Sequence, residues 1–222
     1  MSEVQESNIA VCFRNIHTII TRGVSVSMES VSAVILNGFQ DEGRRKGLFN
    51  YIRALSAVLI SHHLTEDKFA FPYFRDKMPE APFDDLTEWH QEMERILGEI
   101  KLAVDNCEKN DQLEANLKNL EKSLTRLNEE WQPHIQVETD EFISKADALL
   151  PVEEQRKFIQ QFAEFGQKLA IPPALTVPFM LYNLPAEDRN IFSEWMPAEV
   201  LQNLVPVVWK EEWASMTPFL LA

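Results

Sequence analysis

Six residues carry the chemistry of this chain: His17, His62, Glu66, His90, His134 and Glu138. In two of the pairs a glutamate follows a histidine at the fourth position, at His62/Glu66 and His134/Glu138. Residues four apart share one face of a helix, so each pair aims an imidazole and a carboxylate the same way. One such pair is a weak signal, because it also forms as an ordinary surface ion pair. Here all six fall where hydrophobic periodicity calls for core side chains. A buried carboxylate must be paired or coordinate a metal, since losing its hydration costs many kcal/mol. Two buried glutamates and four buried histidines therefore point to a shared cation site.

Donor types narrow the cation. Imidazole and carboxylate without thiolate disfavour copper(I) and structural zinc. Histidines exclude the all-oxygen cages of calcium and magnesium. Six donors are more than one ion takes, whereas two carboxylate-bridged ions use them all, as in di-iron bundles. Two iron ions are expected, with manganese or a mixed pair as alternatives.

The elements that must position these donors read as four long helices, from apolar spacings alternating between three and four. The first runs from about Ser7 to Leu36, with Phe13, His17, Ile20, Val24, Met28, Val31 and Ile35 on one face. It ends near Gly38, and GFQDEGRRKG reads as a turn. The second starts near Gly47 and carries Leu48, Ile52, Leu55, Leu59, His62, Glu66, Phe69 and Tyr73, with Pro72 kinking its end. In the third, Asp85 and Glu88 form a capping box before Leu86, His90, Met93, Leu97, Ile100, Val104 and Cys107. The fourth starts near Asp111 and carries Leu113, Leu117, Leu120, Leu124, Leu127, Trp131, His134 and Glu138. At about 1.5 Å of rise per residue, the polar groups fall at one height if successive helices are antiparallel. The fold expected is all-α, an antiparallel up-down four-helix bundle with a helical, proline-rich C-terminal extension.

Eight of the twelve prolines lie after residue 150, which sets a regular body at 1–150 apart from an extension at 151–222. Trp195, Trp209, Trp213, Phe179, Phe192 and Phe219 make that extension too apolar for a free tail. It is expected to cover the bundle's side, to form a lid over a cavity beside the metals, or to present a homodimer surface. A net charge of −14 argues against nucleic acid and anionic membrane surfaces as partners. The start MSEVQES has no secretion-signal pattern, and no apolar run looks long enough to span a bilayer. Cys12 and Cys107 lie far apart and outside any metal-binding spacing. A cytoplasmic protein is expected.

The segments HHLTEDKFAFP (62–72), WHQEME around His90 and HIQVETDEF (134–142), opened by His17, resemble the hemerythrin-like, or HHE cation-binding, family. The resemblance spans roughly residues 7–148 and implies a four-helix bundle around a non-heme di-iron site. It implies that Glu66 and Glu138 bridge the irons and that His17, His62, His90 and His134 are terminal ligands. It also implies a second histidine one turn along the third helix, where this chain has Glu94, and an aspartate five residues after His134, where it has Glu138 at four. His63, beside the stripe, is the natural spare ligand, and Glu94 is the other candidate. A Glu94 ligand would place negative charge beside the iron and favour the ferric state. The function expected is binding of, or reaction with, dioxygen or a related small ligand, as a sensor or an oxygen- or iron-binding protein. The alternative is a di-iron oxygenase, oxidase or peroxidase acting on a small substrate in a cavity shaped by the extension.

Overall fold

The computed structural model describes residues 8–221, so the expected helix start at Ser7 lies outside the described residues. The described chain is all-α, with no strand. Four long helices form the body: α1 (Ile9–Asn37), α2 (Glu42–Thr65), α4 (Phe83–Glu108) and α5 (Leu113–Glu138), with the short α3 (Phe71–Arg75) continuing the line of α2. α1 packs against α2 and α5, and α4 against α5 and α2. Short connections join α1 to α2 and α4 to α5.

Local chemistry fixes the helix starts. Asn8 caps α1 by accepting from the Val11 N–H at 2.8 Å. Asp41 caps α2 by accepting from the Arg44 N–H at 2.7 Å. The cap starts α2 five residues earlier than the glycines suggested, so most of GFQDEGRRKG is helical. The expected capping box at Asp85 is absent. Pro82 precedes α4 with no side-chain cap, and Asp84 and Asp85 instead sit in its first turn, where the helix dipole favours them.

Both carboxylate-bearing helices pass into a wide π-turn directly at or after their glutamate, at Glu66–Ala70 and Thr139–Ile143. In the first, the Phe71 N–H bonds the Glu66 carbonyl, five residues back. The added residue advances the register by one. Ala70, Phe71 and Phe74 therefore turn inward, where the even pattern put Phe69 and Tyr73. Phe69 is left to stack on Phe158 of the extension, ring centroids 5.4 Å apart.

After α6 (Ser144–Leu149), the extension comprises α7 (Val152–Leu169), α8 (Pro173–Tyr182), α9 (Ala186–Ser193), a π-helical turn (Val200–Val208), α10 (Lys210–Trp213) and a final 3-10 turn (Ala214–Phe219). α7, α8 and the final turn pack on α2. Phe179, Leu184, Trp213 and Met216 join Leu55 and Leu59 in one core. A polar cluster ties the pieces together. Arg22 donates to Tyr51 Oη at 3.3 Å, to Asn183 Oδ1 and to the Phe219 carbonyl at 2.9 Å. Tyr51 in turn donates to Asn183 Oδ1 at 2.7 Å.

α1 corrects one expectation. Its best 18-residue stretch has a mean hydropathy of 1.4, long and apolar enough to cross a membrane by length and composition alone. In the fold about a third of that stretch is buried; α1 packs on α2 and α5, with Asn15, His17 and Ser27 among its buried residues.

Gly47 allows a close approach of the extension to the body. A Cβ there would lie 2.0 Å from the Ser215 carbonyl oxygen, a backbone atom that cannot swing aside. Gly47→Ala therefore destabilises the protein by about 1–3 kcal/mol, despite alanine's better helix propensity. Denaturant unfolding checks this, and a variant as stable as the parent would overturn it.

Candidate metal centre

α1, α2, α4 and α5 bring seven ionisable side chains together in a layer across the body: His17, His62, His63, Glu66, His90, His134 and Glu138. All seven are buried, Glu66, His134 and Glu138 completely. The donors form two nests. One offers His63, His90 and His134, the other His17, His62, Glu66 and Glu138, with the donor atoms of each nest within 4.8 Å of one another.

The two glutamates lie between the nests. Glu66 sets Oε1 3.1 Å from His62 Nε2 and Oε2 3.5 Å from His90 Nε2. Glu138 Oε2 stands 3.2 Å from His17 Nε2 and 3.5 Å from His134 Nε2. Each carboxylate thus reaches donors of both nests. These approaches lack hydrogen-bond geometry: eleven buried nitrogen and oxygen atoms of the seven residues have no hydrogen-bond partner. Buried polar atoms are nearly always satisfied, so a cluster of converging lone pairs is what a bound cation explains.

Protonation fits the same occupant. Burial, reinforced by His17, pushes the His62 imidazole well below the usual histidine range. Burial and then His90 do the same to His63, and burial takes His134 down to about 4. Burial and the adjoining Glu138 charge push Glu66 well above the usual carboxylate range. Glu138 is buried just as deeply, but His17, His134 and His62 outweigh that and hold it below the range. Imidazoles that resist protonation, at His62, His63 and His134, keep nitrogen lone pairs available to a cation.

Aromatic rings close the layer from both sides. Trp131 sits edge-on to His17, ring centroids 5.4 Å apart, and its indole N–H bonds Thr21 Oγ1 at 2.9 Å. Opposite, Phe13 meets His17 and His62, and Phe71 stacks on His90 at 5.6 Å. The polar layer thereby divides the core into a large aliphatic cluster and a smaller phenylalanine-rich one.

His63 takes a place in the three-histidine nest, its ring stacked on His90 at 4.0 Å. Glu94 does not join: it is exposed, with Met93 and Leu97 taking the inward positions beside it. An exposed carboxylate keeps its hydration, and Glu94 stands outside both nests. Sequence reasoning missed Asp67. Its Oδ1 lies 2.9 Å from His90 Nδ1 and also accepts from the Thr87 hydroxyl at 2.9 Å. This contact orients the ring so that Nε2 points at Glu66, as a carboxylate behind a metal-bound histidine does. An acid one residue after Glu66 was the available signal, but acids are common throughout this chain.

A family model, the hemerythrin HHE cation-binding domain, matches residues 16–146. The chain belongs to that family. No match is found among curated proteins or among solved structures. The matched stretch contains all seven clustered residues of this hemerythrin-like protein and ends before α7.

Metal and stability are linked at this layer. In metal-loaded protein, His62→Ala or Glu66→Ala lowers the melting temperature, because a ligand that binds only the fold contributes about 3 kcal/mol at a hundredfold excess over Kd. In metal-free protein the same changes are neutral or stabilising, since they remove unsatisfied buried groups. Equal losses with and without metal would refute a cation site.

Acid acts on the same layer. Below about pH 6.5 an unfolded chain protonates its histidines, while the metal-free fold keeps His134 neutral down to about 4. The unfolded state then binds more protons, so stability falls as pH is lowered through that window. His62 and His63 add to the effect and the raised Glu66 offsets part of it. Melting of metal-free protein at about pH 7.5 and about pH 5 measures it, and an equal or higher Tm at the lower pH would contradict the sign.

Proposed function

We propose that this protein is an antiparallel up-down bundle that holds two iron ions and binds or reacts with dioxygen or a similar small ligand in the cytoplasm. The observation that carries this reading is the pair of adjoining nests with Glu66 and Glu138 between them, each carboxylate close to histidines of both. One ion leaves half of these donors unused; two use them all. A di-iron pair held there would supply redox chemistry toward dioxygen. The chain's own part is to hold and shield it. His63, His90 and His134 would hold one ion and His17 and His62 the other, with Glu66 and Glu138 shared. Asp67 fixes the orientation of His90. Trp131, Phe13 and Phe71 keep water from the histidines, which slows delivery of protons. With Glu94 out in solvent, the reason to expect an oxidation-prone site falls away.

A second reading, an enzyme acting on a small organic substrate, is favoured by the apolar cavity between the extension and His62. Metal analysis after reconstitution with ferrous iron is expected to give about two ions per chain, and exposure to oxygen a coloured form. Oxygen released again under vacuum supports the binding protein, and continued consumption in the presence of a reductant supports the enzyme. Failure to take up iron would refute both.

A further inference from the structure

A cavity of about 100 Å³ lies between the extension and the bundle. α1 and α2 supply one wall, including Asn15 and His62, and α7, α8 and α9 supply the other, including Phe162, Ala163, Met180 and Phe192. No acidic or basic side chain other than His62 lines it. Its hydroxyls are already engaged: Ser61 donates to the Gly166 carbonyl at 2.8 Å and Thr65 to the Ser61 carbonyl at 2.6 Å. Asn15 differs. It is 2 % exposed, and its Oδ1 accepts no hydrogen bond. A buried amide oxygen without a donor costs free energy that a bound hydroxyl would recover.

We propose that this cavity binds a small, neutral, mostly apolar molecule that carries one hydrogen-bond donor, a phenol or an alcohol of similar size, with the donor on Asn15 Oδ1. Three features set the ligand class. The wall without acids or bases, apart from the ligand histidine, disfavours ions, because a charged ligand would lose its hydration with no counter-charge to replace it. The volume admits roughly a single six-membered ring, given that an apolar cavity of about 150 Å³ takes up benzene and that Met180 and Met196 are flexible thioethers able to yield. The orphaned acceptor selects one donor. His62 is at once a wall of the cavity and a member of the two-histidine nest. A molecule bound here therefore lies one imidazole away from the metal position, and the inference deepens the enzyme reading of the same site, on which it rests. Much of the wall comes from residues 159–196, outside the segment shared with the family.

The test uses phenol and toluene as probes on the full-length protein, followed by calorimetry, in metal-free and in metal-loaded form. Phenol is expected to bind one per chain in both forms. Ala163→Phe, which fills the cavity, abolishes binding of both probes and leaves metal content unchanged. Asn15→Leu weakens phenol by about fivefold, the worth of one hydrogen bond near 1 kcal/mol, and leaves toluene within about twofold. No saturable binding of phenol to folded protein would overturn the proposal. So would phenol binding that survives Ala163→Phe, which places the site elsewhere, or binding that requires metal and survives that change, which is coordination to the ion. An Asn15→Leu effect equal for both probes would overturn the assigned hydrogen bond. Binding in the metal-free form with no uptake of iron would leave the cavity standing and refute the di-iron reading alone.

Discussion

Two carboxylates placed in a fully buried layer govern the rest of this molecule. Neither Glu66 nor Glu138 has a hydrogen bond to either oxygen, and both are fully buried. A chain that leaves such groups without compensation is poorly folded. Around them stand five histidine rings whose nitrogens converge on the same space without satisfying it. A cation completes the arrangement, and its binding free energy then belongs to the folding of the whole domain. The aromatic rings above and below strengthen that dependence, since lowering the local dielectric raises both the cost of an empty layer and the gain from a filled one.

The backbone adapts to this layer at its edges. Each π-turn sits where a helix leaves its glutamate, and the extra residue re-aims the side chains beyond it. On the far side, Phe71 and Phe74 converge on Phe142, at 5.6 and 5.3 Å between ring centroids. Pro72, which has no N–H to give, lies directly beyond the first wide turn, where a regular helix would set its ring against a carbonyl. A regular continuation of α2 would have sent Phe69 and Tyr73 inward and left the extension without the Phe69 ring it packs on.

The extension does more than cover apolar surface. Leu55 and Leu59 share a core with its residues, and Arg22, Tyr51 and Asn183 link α1, α2 and the end of α8 through hydrogen bonds. Packing α7, α8 and α9 against the side of the bundle at His62 brings Asn15 and His62 onto one wall of a cavity near the metal layer. A bundle without this addition would present Asn15 and the His62 face to solvent, where water would satisfy them.

Much was legible from the chain alone, for physical reasons that operate locally. Helices announced themselves by their apolar spacing. Polar intruders in those stripes, two of them repeating histidine and glutamate four apart, marked the layer, because a carboxylate inside a core has to be paired or bound to a cation. Helix starts were less legible: the glycines put the second start near Gly47, whereas the Asp41 cap sets it at Glu42. The choice between His63 and Glu94 was not local. Both stand beside a stripe, and which one turns inward depends on how α2 and α4 rotate against α5, a matter of packing between residues distant in sequence. Asp67 behind His90, the π-turn shift from Phe69 to Ala70, and the cavity against Asn15 likewise exist only once separate segments meet. Sequence determined which groups would have to find partners in the interior; tertiary structure decided which neighbours they found, because orientation about a helix axis is set by contacts between segments far apart along the chain.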